Sequence, residues 1–302
     1  MKYETITTNA LDILRLKDEF LRYIDVSKNS VETYNVGIRA FANYMRENGI
    51  TTPTRADIIA FRDSYKETHS VATINSYLIA LRNFFSFLAY NGIYNNIMEN
   101  VKGLKDTTLH KRSNLSVAQC KQVLDIAKNL REKALFAITL GCGLRANEVV
   151  NIELSDFRQD NDKILLYVLG KGRDYKQDFV VVPNNVLSIL KEYIKEYGIT
   201  DYLFVSQSNN NIGGKVNTCT IRRIINAMYE RAGIKSEDIV FHSLRHSFAT
   251  IAIQSGNDIR EVANALRHRN ISTTERYLHD LDARNNNCSN SVANNIFGAS
   301  GI

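Results

Sequence analysis

Four short patterns along this chain carry side chains suited to polar chemistry. In order they are Gly143-Leu144-Arg145-Ala146-Asn147-Glu148, Gly170-Lys171-Gly172, His242-Ser243-Leu244-Arg245-His246, and Leu266-Arg267-His268 followed by Thr273-Thr274-Glu275-Arg276-Tyr277. Guanidinium groups present planar forks that match phosphate oxygens bidentately and stay charged at any working pH. Imidazoles move protons near neutrality, an ammonium on a flexible turn can protonate a leaving group, and an activated phenol can form a covalent intermediate. Taken singly, each pattern also has a bland reading. A lysine between glycines is usually a solvated turn, a helical arginine usually pairs with an acid, and a tyrosine is most often a packed ring with a hydrogen-bonded tip. His-x-x-Arg is a frequent coincidence.

Order and spacing add what the single patterns lack. His268 and Tyr277 are nine residues apart, and Lys171 falls between two β-branched runs. Upstream, Ser70 to Gly92 contains Ala80-Leu81-Arg82 and Phe84-Phe85. On these residues, over about positions 10 to 280, the chain resembles the tyrosine recombinase family, also called phage-type integrases, and within it the two-domain Xer-like members. The resemblance implies a mainly α fold with a small β-sheet: an N-terminal four-helix, SAM-like core-binding domain and a mixed α/β catalytic domain. It assigns Arg145, Lys171, His242, Arg245, His268 and the nucleophile Tyr277 to catalysis. It further implies a 3′-phosphotyrosyl intermediate, a free 5′-hydroxyl and strand exchange through a Holliday junction, in a homo-tetramer on two double-stranded DNA recombination sites. A second recombinase as hetero-partner and an accessory or directionality protein are compatible with it. Many relatives have Gly-His before the nucleophile where this chain has Arg267-His268; whether that arginine adds a phosphate contact or disturbs the turn is open at this stage.

The set is coherent as a phosphoryl-transfer site. A scissile phosphodiester gains charge on its non-bridging oxygens in the transition state, so fixed cationic donors such as Arg145 and Arg245 are needed there. His242 and His268 can donate to the same oxygens or handle the nucleophile's proton. A tyrosine phenol is only about one part in a thousand ionised at pH 7, so Tyr277 requires a base or a cationic pocket. Lys171 is the best general acid for the departing 5′-oxygen. Glu148, one helical turn after Arg145, is expected to orient side chains rather than touch DNA. Of the neighbouring histidines, His246 is read as packed and structural and His279 as exposed. Attack by a phenol trades one phosphate ester for another, so rejoining requires no nucleotide. The sequence agrees in having no G-x-x-x-x-G-K-[ST] loop, no carboxylate cluster for magnesium and no zinc spacing, so no cofactor and no metal are expected.

Helices must position these groups. Leu14 to Ile24 reads as one. Ser30 is expected to cap a second through Val31, Tyr34, Ile38, Phe41 and Met45, stopped by Gly49. Thr54 with Asp57 resembles a capping box before Ile58, Phe61 and Tyr65, and Ser70 opens a long helix through Ile74, Leu78, Leu81, Phe85 and Leu88. Residues 1–101 therefore form one helical domain, and 102–115, sparse in apolar residues and rich in lysine, read as a linker. The catalytic domain spans 116–284. It contains helices at Ser116 to Asn129, Arg131 to Leu140, Asn185 to Tyr197, Thr218 to Ala232, His242 to Ser255 and Asp258 to Leu266. Lys163 to Val168 and Asp178 to Val182 are expected to form a hairpin. An Asn/Ser-rich tail, 285–302, follows. By resemblance its apolar Val292, Ile296 and Phe297 pack on a neighbouring protomer; folding back in cis is the alternative.

Composition narrows the class. With 302 residues, two domains are expected, and 44% hydrophobic with 23% charged residues excludes a disordered or collagen-like chain. Cys120, Cys142, Cys219 and Cys288 are 22, 77 and 69 residues apart, which excludes zinc and dithiol spacing and leaves ordinary thiols. The N-terminus shows no apolar leader and no stretch can span a bilayer, so the cytoplasm is the expected address. A net charge of +6, shared by both halves, suits a polyanionic partner contacted by both domains. Phosphate contacts are expected from Arg82, Arg222 and Arg223 and, more weakly, from Lys28 and Arg39.

Only about ten residues precede the first helix, which leaves no room for the arm-site-binding domain of the larger phage integrases and favours a simple two-domain recombinase. Site-specific recombination of a mobile element, by integration, excision or resolution, is the leading reading, because the tail lacks the His-Pro-Arg ending common in Xer proteins. Xer-type chromosome or plasmid dimer resolution is the alternative. A non-catalytic DNA-binding regulator would have a broken catalytic set, and a type IB topoisomerase would relax supercoils without exchanging strands.

Overall fold

The computed structural model describes residues 10–105, 113–170, 173–268, 270 and 274. Two compact units emerge, Met1–Leu109 and His110–Ile302.

The first unit is four helices: α1 (Ala10–Tyr23), α2 (Lys28–Glu47), α3 (Arg55–Ser64) and α4 (Val71–Tyr90). Caps set most of the boundaries. Ser70 Oγ accepts from Thr73 N–H at 3.2 Å, and Asp57 accepts from the Thr54 backbone at 2.7 Å, as the sequence suggests. Helix α2 starts earlier than expected: Ser27, not Ser30, is its N-cap, and Ser30 N–H is the donor to Ser27 Oγ. Ser-x-x-Ser offers two capping oxygens; the upstream one adds a turn at no cost in buried polar groups. Helix α4 is central, and besides the expected stripe it buries Ala80 and Phe84. Its aromatic rings interlock with the other helices, Phe84 edge-on to Phe20 at 5.6 Å, while Phe41 of α2 meets Phe61 of α3 at 5.4 Å. Such pairs contribute about 0.5–1.5 kcal/mol each beyond area burial.

Both ends of the segment read as a linker are anchored. Val101 is buried in the first core, and the Asn75 side-chain amide accepts from Leu104 N–H at 2.8 Å and donates to Leu104 O at 2.9 Å. Leu115 is buried in the second core, its N–H donating to Ser247 Oγ at 2.7 Å. The sparse apolar residues of this stretch are its anchors, so any free tether is shorter than 102–115.

The second unit contains α5 (Val117–Asp125), α6 (Leu130–Gly141), α7 (Ala146–Val150), strands β1 (Phe157–Asp160), β2 (Lys163–Val168) and β3 (Asp178–Val182), then α8 (Asn184–Tyr197), α9 (Thr218–Arg231), α10 (Ser243–Gln254) and α11 (Ile259–Ala265). The sheet is antiparallel in the order β1-β2-β3, with Phe157 opposite Leu166 and Leu166 opposite Val180. Strands β2 and β3 match the sequence reading, whereas β1 is additional. Its Phe-Arg-Gln-Asp sequence lacks apolar alternation and its residues lie at an edge; the signal for it is the two-residue turn at Asn161-Asp162, where Asn161 has φ +51°. At the end of the β2–β3 loop, Lys176 Nζ reaches Asp156 Oδ2 at 2.6 Å and Glu153 Oε1 at 3.1 Å, tying the approach to β3 to the 3-10 turn Leu154–Asp156. Burial opposes the charge of Lys176, but its bonds to Asp156 and then Glu153 outweigh burial and raise its pKa. Among the described residues no helix is long and apolar enough to cross a membrane.

Gly143 joins α6 to α7 at φ +58°, and a Cβ there would lie 2.8 Å from Leu266 Cδ2 and 2.9 Å from Phe248 Cδ1. Gly143→Ala should therefore lower stability by about 2 kcal/mol, from left-handed strain and overpacking together, measured by urea unfolding; an unchanged midpoint would contradict this packing.

Candidate active site

A single buried carboxylate organises the site. Arg145 immediately precedes the short helix α7, and Glu148 on its first turn folds back to accept from the Arg145 backbone N–H at 2.8 Å through Oε2. The other oxygen, Oε1, accepts from Arg145 Nη1 at 2.8 Å. Arg267 Nη2, from just beyond α11, donates to Oε2 at 2.7 Å, and Arg245 Nη1 of α10 stands 4.0 Å from the same atom. The Glu148 side chain is only 1% exposed. Among the described residues three guanidinium groups thus gather on one buried carboxylate, a concentration of cationic donors suited to phosphate oxygens.

The two arginines expected to grip phosphate are not equivalent. The Arg145 side chain is partly open to solvent, 28% exposed. Arg245 is 1% exposed; it donates through Nη1 to Gly143 O at 2.6 Å and through Nη2 to Leu266 O. It therefore ties the α6–α7 turn to the end of α11, with its charge buried close to Glu148.

The histidines frame this cluster. His242 stands at the N-terminus of α10, its ring 4.8 Å from that of His246, edge to face one turn on. Both are half-buried. His268 Nδ1 hydrogen-bonds Thr274 Oγ1 at 2.7 Å, and Thr274 is fully buried. Burial, followed by the charges of Arg245, Arg145 and Arg267 and then His246, depresses the His268 pKa from 6.5 to about 4. Neutral at pH 7, His268 carries one ring proton. If Thr274 donates to Nδ1, that proton sits on Nε2 and can be given to a phosphate oxygen; in the other tautomer Nε2 is a base.

Arg267 answers the question its sequence position raises. Its backbone lies at φ +55°, the left-handed region that glycine enters freely and that costs other residues about 1–2 kcal/mol. The turn is kept, and the side chain is folded inward, with Nη1 on Ala265 O at 2.8 Å as well as Nη2 on Glu148. Sequence reasoning missed Arg267 and Thr274 as partners of Glu148 and His268; Thr274 is only six residues from His268, but Arg267 and Glu148 are 119 positions apart and only folding brings them together.

Lys171, Tyr277, His279, Cys288 and the tail 285–302 lie outside the described residues. Of the positions suggested for DNA, Arg222 and Arg223 are exposed on α9, and Lys28 and Arg39 are exposed on α2. Arg82 is exposed on α4 but donates to Val101 O at 3.0 Å, so part of its guanidinium serves the fold. Cys120 and Cys142 are buried, with thiols pushed up to about 11 and about 12 by desolvation, which makes them poor nucleophiles. Among the described residues no cluster of His, Cys, Asp and Glu could hold a metal ion.

Comparison with known proteins bears on the whole arrangement. Residues 113–284 match the model of the phage integrase family, and residues 18–92 match that of the phage integrase N-terminal SAM-like domain. A tyrosine recombinase of Thermosipho africanus (strain TCF52B) is 30% identical over 265 residues, spanning 85% of this chain and 90% of that protein. Tyrosine recombinase XerC of Escherichia coli O157:H7 is 28% identical over 278 residues, spanning 87% and 90%. Among solved structures, XerH site-specific recombinase bound to palindromic difH substrate, a post-cleavage complex, superposes with a TM-score of 0.77 at 23% identity, covering 95% of this chain and 98% of that one. The last likeness speaks to the fold.

The His268 environment has a measurable consequence. An imidazole that stays neutral to about pH 4 in the fold but titrates at 6.5 when unfolded takes up its proton in the unfolded state first. Stability should therefore fall as pH drops from about 6.5 to about 4 and be independent of this group above that window. His268→Gln should remove that part of the slope in urea unfolding at pH 7.5 and 5.0; an undiminished slope would contradict the assignment.

Proposed function

The chain belongs to the phage integrase family and is a site-specific tyrosine recombinase, and from that premise we propose how its own residues carry the reaction. Tyr277 is the nucleophile. Its phenol passes its proton to His242 or His268 and its oxygen attacks the scissile phosphorus, the bond from phosphorus to the 5′-oxygen breaks, and the strand is held as a 3′-phosphotyrosyl ester. Lys171 gives a proton to the departing 5′-oxygen. Reversal with the 5′-hydroxyl of another strand reseals the backbone, conserving the ester bond throughout, so neither a nucleotide nor a metal enters the balance. The observation that supports this reading is the cluster built on Glu148: three guanidinium charges, one of them partly open to solvent, beside the neutral ring of His268. Arg145 is the donor offered to the phosphate oxygens, Arg245 supplies buried charge close to Glu148, and His242 and His268 complete the donor set.

Recombination joins two duplexes, and each protomer carries one nucleophile per strand cut. Four strands therefore call for four protomers on two double-stranded DNA sites, in the cytoplasm where DNA is reached. Arg222 and Arg223 on one unit, and Lys28, Arg39 and part of Arg82 on the other, are assigned to backbone phosphates, contacts that position DNA without reading sequence. The tail 285–302 is assigned to a neighbouring protomer. Two roles fit this chemistry. Integration, excision or resolution of a mobile element is one; Xer-type chromosome or plasmid dimer resolution is the other, and the similarity to XerC over most of both chains favours testing it directly.

A suicide substrate nicked near the cleavage point should trap a covalent protein–DNA adduct with the wild-type chain and none with Tyr277→Phe. An adduct formed by the variant would remove Tyr277 as the nucleophile, and no adduct with wild type would favour a non-catalytic DNA-binding regulator. Deleting residues 286–302 should leave single-site binding intact and abolish cooperative assembly in a gel shift; unchanged tetramer formation would reject the exchanged tail.

A further inference from the structure

We infer that Arg267 is a positioning residue for strand cleavage, acting through the Glu148 carboxylate to hold the Arg145 guanidinium open toward the phosphate. The inference rests on the reading of Arg145 given above and adds a residue to it. Its starting point is a conflict within the chain: an arginine occupies a φ +55° position where glycine would be unstrained. What offsets that strain is the side chain, 8% exposed and committed to Glu148 and to Ala265 O.

Carboxylate geometry explains why this commitment matters. Glu148 has two oxygens, and left to itself a carboxylate chelates one guanidinium with both. Here Oε2 is engaged by the Arg145 backbone N–H and by Arg267, so only Oε1 remains for the Arg145 side chain. Arg145 is thereby held through a single nitrogen, and its other N–H groups are left for a substrate oxygen. The contact between Arg267 and Glu148 also joins α7 directly to the residue preceding His268, fixing the imidazole and the guanidinium relative to each other across 119 residues of chain. The Nε–H of Arg267 is buried without a hydrogen-bond partner among the described residues, so the hydrogen bonds of this side chain are made by its two terminal nitrogens.

The test compares wild type with Arg267→Gly, Arg267→Gln and Arg267→Lys in the full chain. Single-turnover cleavage of the nicked substrate is measured at saturating protein, alongside DNA affinity and thermal melting. Arg267→Gly relieves the backbone and should melt within a few degrees of wild type, yet cleave at least about tenfold more slowly at saturation, with affinity changed by less than about threefold. Arg267→Gln, which keeps the strain and loses the charge, should be at least as slow, and Arg267→Lys should recover part of the rate. Combining Arg267→Gly with Glu148→Gln should slow cleavage no further than the slower single variant, since both act through one carboxylate. Wild-type cleavage by the Gly variant, or by the Gln variant should the Gly variant not fold, overturns the inference, as does a rate loss that multiplies with that of Glu148→Gln. Absence of a Tyr277-dependent adduct in wild type itself would instead overturn the underlying assignment of the nucleophile.

Discussion

The architecture of the second unit follows from how a buried carboxylate holds several like charges together. Arginine cannot shed its proton, so guanidinium groups drawn from α7, α10 and the turn after α11 would repel one another in a water-poor pocket. Glu148 makes their proximity tolerable. Its desolvation is compensated by the Arg145 backbone and side chain and by Arg267, with Arg245 close by. The same cluster therefore serves both the packing of the unit and the donor set proposed for phosphate.

The rest of the unit keeps that cluster in place. Gly143 makes the left-handed turn that lets its carbonyl meet Arg245, and the same guanidinium reaches the carbonyl of Leu266, which packs on Ala249 and Val262. Ser247, one turn from Ser243, anchors Leu115 and therefore the entry of the chain into the unit. Lys176 fastens the base of the β2–β3 loop through Asp156 and Glu153. The ammonium of Lys176 is thereby committed to two carboxylates and serves the fold.

Much of this was legible before any coordinates. Capping at Thr54 and Ser70, the apolar stripe of α4 and the bounds of β2 and β3 follow from local patterns, because local hydrogen bonds and periodic burial decide them. The start of α2 was misplaced because Ser27 and Ser30 are equally good capping oxygens locally. Strand β1 escaped notice because an edge strand can be polar throughout. Within the site, residue types and order were readable, but the difference between the partly exposed Arg145 and the buried Arg245 was not, since both are arginines in helical contexts.

By itself the sequence determined the inventory and its chemistry: two helical arginines, paired histidines, a lysine between glycines, a late tyrosine and a carboxylate one turn after the first arginine. These are properties of side chains and short spacings, and they survive without a fold. Tertiary structure alone decided how charge is distributed among them. Arg267 becomes a partner of Glu148, and His268 is held neutral, because burial and distance set electrostatic energies, and neither can be read from neighbours in the chain.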